Sequence, residues 1–185
     1  MTLKLQKLVC AAVAVLCVGV VGTDAKVQPH ALGLRFIGGT LLGGEINYQA
    51  ATRLFGAKRL EIGGSIWGDN NAYNIAIAAV PQWYWNISPR AANGGFNWYV
   101  GPGAAVGLYS QGELRDENDH VISKATNEAG VWVGGQIGIE YDFNAVGVPL
   151  NISIDSRPMI DLLHSGGVSL MGIINGACLA LRYTF

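Results

Sequence analysis

From His30 to Phe185 apolar side chains alternate with polar or very small ones at a period of two, a pattern that strands satisfy and helices do not. It is clearest from Val131 to Phe143, where Val131, Val133, Ile137, Ile139, Tyr141 and Phe143 share one face and Gln136, Glu140 and Asp142 the other. At the end of the chain Ala177, Leu179, Leu181, Tyr183 and Phe185 alternate with Gly176, Cys178, Ala180, Arg182 and Thr184. Between these segments, Ile152, Ile154, Ile160 and Leu162 interleave with Asn151, Ser153, Asp155, Arg157 and Asp161. Each strand therefore has one greasy face and one polar or bare face.

Alternation alone does not say which face is inside. A soluble sandwich turns the apolar face inward, and a barrel in lipid turns it outward. The small residues favour the second arrangement. Gly101, Gly103 and Gly107 lie on the polar face with Asn97, Tyr99, Ala105 and Tyr109, as the interior of a narrow barrel requires, whereas a solvated face would carry more Lys and Glu. Only 14% of the residues are charged, too few to cover an ordinary water-exposed surface. No apolar run reaches the roughly 20 residues of a spanning helix, so any crossing of a membrane falls to strands. The expected fold is all-β, an eight-stranded antiparallel up-and-down transmembrane β-barrel, with strands at 31–38, 43–50, 59–67, 72–87, 96–109, 130–143, 150–162 and 173–185. Pro81, Pro102 and Pro158 fall inside these spans, where bulges or strand ends are expected to absorb their missing donors.

The N-terminus reads as an export leader. Lys4 and Lys7 precede the apolar stretch Leu8 to Val21, which ends in Gly22-Thr23-Asp24-Ala25. Residues 1–25 are expected to be a cleaved signal peptide, with Gly22 as the second choice of site, and 26–185 the barrel. Cys10 follows Val9 and Cys17 follows Leu16, which does not suit a lipidated cysteine. Cleavage leaves Cys178 as the one thiol, read as a small buried residue on the last strand.

If both ends of the barrel face the periplasm, the turns near 51–58, 88–95 and 144–149 are periplasmic. The long segment 110–129, with Glu113, Arg115, Asp116, Glu117, Asp119, His120, Lys124 and Glu128, then lies outside the cell and offers a surface for a protein partner. Tyr48, Trp83, Trp85, Phe96, Trp98, Tyr141, Phe143, Tyr183 and Phe185 gather at the periplasmic strand ends and read as an interfacial aromatic girdle. The inward charges Arg35, Glu45, Glu61, Glu140, Asp142, Asp155, Arg157, Asp161 and Arg182 are of mixed sign. They are expected to pair within a closed lumen, chiefly around Arg157 and Arg182, because an unpaired charge there is costly.

Arg182-Tyr183-Thr184-Phe185, with its aromatic last residue, resembles the C-terminal signal of outer-membrane barrels, in which Tyr183 and Phe185 would be read by the assembly machinery. Ala31-Leu32-Gly33-Leu34-Arg35-Phe36, Gly44-Glu45-Ile46-Asn47-Tyr48-Gln49, Arg59-Leu60-Glu61-Ile62-Gly63 and Phe96 to Gly103 resemble the small PorT-like, OmpA/OmpX-like outer-membrane β-barrel family. So do Gly138 to Phe143 and Asp155-Ser156-Arg157-Pro158. The resemblance covers the mature chain. It implies outer-membrane localisation in a Gram-negative envelope and contact with its lipid, and brings no catalytic motif.

Other chemistry is thinly supplied. Gly101-Pro102-Gly103-Ala104-Ala105-Val106-Gly107 misplaces its last glycine for a dinucleotide loop, and no helix follows it. The Cys and His residues lack metal-ligand spacing, and the near-neutral charge of −1 with no basic cluster argues against nucleic acid. No cofactor is expected. A lipid-modifying acyltransferase or deacylase is the rival activity, with Asp161, His164 and Ser165 as its candidate site. Neighbouring strand residues point to opposite faces, however, so His164 and Ser165 make a poor pair if extended. The preferred expectation is a non-enzymatic barrel with an envelope-structural or loop-binding role. A soluble periplasmic lipid-binding barrel is the third reading.

Overall fold

The computed structural model describes residues 23–24, 27–37, 42–68, 72–87, 95–115, 121–163 and 177–185. The chain forms a closed, all-antiparallel eight-stranded up-and-down β-barrel. Its strands are β1 (His30–Ile37), β2 (Leu42–Ala51), β3 (Arg59–Gly68), β4 (Ala72–Asn86), β5 (Gly95–Gln111), β6 (Thr126–Asp142), β7 (Leu150–Ser156, continuing as Met159–Asp161) and β8 (Cys178–Thr184). Each pairs with the next in sequence, and β8 closes on β1 through a register running from Cys178 opposite Ile37 to Thr184 opposite Ala31. Closure leaves no open edge in the wall, which is how a barrel of short strands avoids edge-to-edge association. Among the described residues no helix is long and apolar enough to cross a membrane.

The faces follow the parity read from the sequence. Leu32, Leu34 and Phe36 of β1, Ile46 of β2, Ile152 and Ile154 of β7 and Leu179 and Leu181 of β8 are exposed on the outer surface. Arg35, Glu45, Glu61, Glu140, Asp155 and Arg182 are buried inside. Ile46 is 64% exposed and its sequence neighbour Glu45 3%. Inward glycines make room for the long polar side chains. A Cβ at Gly63 would lie 2.5 Å from Glu45 Oε1, and one at Gly138 2.6 Å from the Tyr99 ring. Gly44 and Gly64 instead point outward and floor a shallow apolar depression of about 410 Å³, walled by Leu34, Phe36, Ile46, Ile66, Ile75 and Ile77.

The turn end, where β1 begins and β8 finishes, is tightly tied. His30 and Phe185 exchange backbone hydrogen bonds at 3.1 and 3.0 Å. The His30 ring stacks on both Tyr48 and Phe185 and is hydrogen-bonded through Nδ1 to the Tyr48 hydroxyl at 2.7 Å. Residues ahead of β1 approach the same end. Thr23–Asp24 pairs with Asn86 and Trp85 of β4, Val27 packs against Tyr84 and Tyr99, and the Gln28 carbonyl accepts from Arg59 Nε at 3.3 Å. Phe55, in the turn after β2, has a left-handed backbone (φ 52°) and holds its ring out to the surroundings.

In two regions a strand boundary differs by more than two residues from that read in the sequence. The segment expected as a loop at 110–129 is largely a hairpin arm: β5 and β6 stay paired to Gln111 opposite Thr126, and Leu114–Arg115 pairs again with Val121–Ser123. Polarity signals exposure there, but a two-stranded ribbon can continue its ladder in water without an apolar face. Within the arm, residues 116–120 lie outside the described residues. The last strand begins at Cys178 rather than 173, since Ala177 is unpaired with a strand and 173–176 lie outside the described residues.

Pro158 falls in the break between the two segments of β7, at strand ends, whereas Pro81 and Pro102 are absorbed neither by a bulge nor at a strand end. The β4–β5 ladder pauses after Ala79 opposite Ala104 and resumes at Trp83 opposite Val100 in the same register, so Pro81 faces Pro102. Across β6–β7, Ser156 faces Ile137 and Met159 faces Gly134, which sets Pro158 opposite Gly135 with no residue inserted. At Pro81 and Pro102 the wall tolerates missing donors in mid-strand.

Candidate functional site

The interior of the turn half is one connected polar network to which every strand contributes. On β3, Glu61 is its hub: it accepts from Arg182 Nη2 at 2.9 Å, Gln49 Nε2 at 2.7 Å and Gln136 Nε2 at 3.4 Å, and also from Arg157. β3 and β7 are four places apart in the closed order, so the Arg157–Glu61 pair spans the lumen. Arg157 also donates to Glu45 at 2.8 Å. Arg35 links Glu45, at 3.4 Å, to Asp155, which its Nε reaches at 2.9 Å. Asp155 in turn accepts from the Tyr99 hydroxyl at 2.9 Å. Arg182 is held by Asn47 and Ser153, each at 2.8 Å, besides Glu61. Four arginines thus meet four carboxylates in a space from which water is largely excluded, the setting in which charge pairs must satisfy one another.

The fourth of these arginines, Arg59, is absent from the set picked out in the sequence. It is fully buried, donates to Glu140 at 3.2 Å and Gln49 at 3.0 Å, and lies 5.1 Å from the centre of the Tyr84 ring. The signal was available, because Arg59 is two residues from Glu61 in one strand and so shares its face. Asp142 and Asp161, conversely, sit at opposite ends of the interior. Asp142 accepts from the Asn144 backbone at 2.9 Å and its side chain at 2.6 Å, fixing the turn into β7. Asp161 accepts from the Leu163 backbone at 2.9 Å. His164 and Ser165, the other members of the rival catalytic site, lie outside the described residues, as does His120.

Above the network, toward the loop end, the interior changes character. Ala76, Ala78, Ala105, Trp132 and Met159 form a buried apolar cluster against which Trp67 packs, 6.1 Å from Trp132 between ring centres. Cys178 is buried and free. In the folded mature protein it is expected to resist maleimide and to label after boiling; labelling at equal rates in both states would contradict its burial.

The nine aromatics singled out in the sequence lie at the turn end. Trp85 stacks on Trp98 at 4.4 Å, Tyr141 meets Phe96 and Phe143 edge-on at 4.7 Å each, and Tyr183 lies 6.0 Å from Phe185. Tyr48, Phe96, Tyr183 and Phe185 are exposed, and Trp83, Trp85, Trp98, Tyr141 and Phe143 partly so. These contacts run along the outer surface, so the aromatics form a belt rather than a core.

Compared with known proteins, the chain matches no family model and no curated sequence.

Proposed function

We propose that this chain is a non-enzymatic integral barrel of a Gram-negative outer membrane, exported by a cleaved leader and of the PorT-like, OmpA/OmpX-like kind. Its role is to contribute to the envelope and to present the 110–129 arm to a protein partner. The observation that carries this reading is the inversion of the wall, with large aliphatic side chains exposed on successive strands and arginine–carboxylate pairs buried inside. In water such an outer face would associate, whereas in a bilayer it is the solvated face. The aromatic belt at one rim supports the same reading, since Trp and Tyr favour the membrane–water interface. Insertion would proceed through the barrel-assembly machinery, with lipid as the permanent contact. The arm exposes Val121 and Ile122 beside Glu113, Lys124 and Glu128 at the loop end. That mixed surface suits a protein partner better than a lipid.

The test is gel mobility of the outer-membrane fraction in SDS, boiled against unboiled, after a carbonate wash. The expected result is a membrane-retained band that runs compactly unboiled and shifts on heating. Release into the wash would sink the proposal and favour a periplasmic lipid-binding barrel.

A further inference from the structure

The turn between β2 and β3 is held by its own hydrogen bonds. Thr52 N–H donates to the Lys58 carbonyl at 3.1 Å, Gly56 N–H to the Arg53 carbonyl at 3.2 Å and Ala57 N–H to the Leu54 carbonyl at 2.9 Å. Leu54 N–H donates to the Thr52 hydroxyl at 3.1 Å. Lys58 N–H donates to the Gln82 carbonyl of β4 at 2.9 Å and ties the turn to the wall. At the tip, Phe55 has φ 52° and ψ 26°, the left-handed region in which a bulky side chain is an outlier. Phe55 gains no burial in return. Its ring is 81% exposed, and Arg53 and Leu54 beside it are exposed as well. Asparagine or glycine adopts this backbone more readily, so an exposed Phe held there points to a contact outside the chain.

Its position names the contact. A Cβ at Gly56 would lie 3.8 Å from the Trp83 indole Nε1. Trp83 stands on the outer face of β4, between the buried Gln82 and Tyr84. The turn therefore leans on the outside of the wall and not across the lumen. It also falls in a gap of the aromatic belt. Tyr48 belongs to β2, and Trp83 and Trp85 to β4, but the outward residues at the turn end of β3 are Leu60 and Ile62. Phe55, in the turn that leads into β3, supplies the ring that β3 lacks. Aromatic rings favour the layer between hydrocarbon and water, and there a long cationic side chain keeps its head among the phosphates. Arg53, two residues before Phe55, is such a cation.

We infer that the Arg53-Leu54-Phe55 turn is a docking surface for the phospholipid leaflet on the turn side of the barrel. The Phe55 ring and the Leu54 side chain enter the interfacial layer, and the Arg53 guanidinium donates to a lipid phosphate. The contact fixes the depth of the β2–β3 corner, where β3 has no belt residue of its own. This rests on the membrane reading above, because only a barrel in lipid brings a leaflet to the outside of that corner.

The experiment places a nitroxide label at Phe55→Cys, Ile46→Cys or Ile122→Cys, each in the mature protein with Cys178→Ala, folded into vesicles of phosphatidylcholine and phosphatidylglycerol. Electron paramagnetic resonance then compares collisions with oxygen, which concentrates in hydrocarbon, and with a water-soluble nickel chelate. The label is expected to be shielded from nickel at position 46 and open to it at position 122. At position 55 nickel collision is expected to be less than half of that at position 122, and Arg53→Gln should raise it. Phe55→Asn in the otherwise unaltered protein removes the ring and suits the left-handed backbone; its urea midpoint in vesicles is expected to fall. A label at position 55 as open to nickel as that at 122, one unmoved by Arg53→Gln, or a raised midpoint for Phe55→Asn overturns the inference, and with position 46 shielded the membrane reading stands. Nickel access at position 46 as well overturns both.

Discussion

Replacing Glu61 by alanine is expected to cost the folded barrel about 3–5 kcal/mol, the usual penalty for leaving a buried charge without its partner. Glu61 accepts from Arg157, Arg182, Gln49 and Gln136 at once, so among the described residues its loss withdraws the only carboxylate bonded to Arg182 and one of the two bonded to Arg157. Arg157 keeps Glu45, and Arg182 keeps the neutral Asn47 and Ser153. The damage should therefore fall mainly on Arg182. Three variants separate charge from shape. Glu61→Gln keeps the volume and should still lose most of the stability. Arg182→Met alone should be costly, because Glu61, Asn47 and Ser153 then lose the cationic donor they share. Glu61→Met with Arg182→Met should recover part of the loss, since removing both partners of a buried pair is milder than removing one. Urea titration of vesicle-folded protein, followed by gel mobility, measures each. A loss under about 1 kcal/mol for Glu61→Ala would show the network to be loosely hydrated and the pairing of little consequence.

Side-chain parity made the face of each residue legible, and pairing was not. Arg35 and Asp155 are 120 residues apart, and they meet because β8 lies between β7 and β1 in the closed sheet. Nothing local to either residue says so. Closure, register and strand tilt determine which inward groups share a level, and those depend on turn lengths throughout the chain. Arg59 shows a different failure. Its parity with Glu61 was readable and the expected strand already begins at Arg59, yet this first residue is absent from the inward set. Asp142 and Asp161 show the converse: correct parity placed them inward, and their position at strand ends gave them turn backbone to bind.

The prolines illustrate the same limit more sharply. Read strand by strand, Pro81, Pro102 and Pro158 are three separate offences against a closed sheet. Only the registers show that Pro81 and Pro102 occupy one rung, so that two missing donors interrupt one place in the wall instead of two. Concentrating the loss leaves the β3–β4 ladder paired at Pro81 and the β5–β6 ladder paired at Pro102, because each residue's N–H and C=O point to the same neighbour. The inside of the wall was similarly half legible. Glycines and alanines at 101, 103 and 105 marked a narrow interior, but the change from charged to apolar filling along the axis emerges only when the strands are laid side by side.

Arginine in place of Ile46 tests which solvent the outer surface meets. Ile46 sits near the middle of β2, opposite Leu34 on β1 and Gly64 on β3, with its side chain 64% exposed. In a bilayer, arginine near the midplane of a barrel is expected to lower the unfolding free energy by about 2–4 kcal/mol, and the cost should fall as the same substitution is moved toward either rim. In water the substitution would be close to neutral, or would improve solubility by breaking an apolar patch. Ile122→Arg is the matching control. Ile122 is 69% exposed but lies on the hairpin arm beyond the barrel, so its replacement should change stability by no more than about 0.5 kcal/mol in either solvent. Comparing the two in vesicles, by urea titration with gel mobility as the readout, separates exposure to lipid from exposure as such. Equal, small effects at Ile46 and Ile122 would mean that both side chains face water, and the buried charge network would then have to be explained as the interior of a soluble barrel with its apolar face covered by another protein.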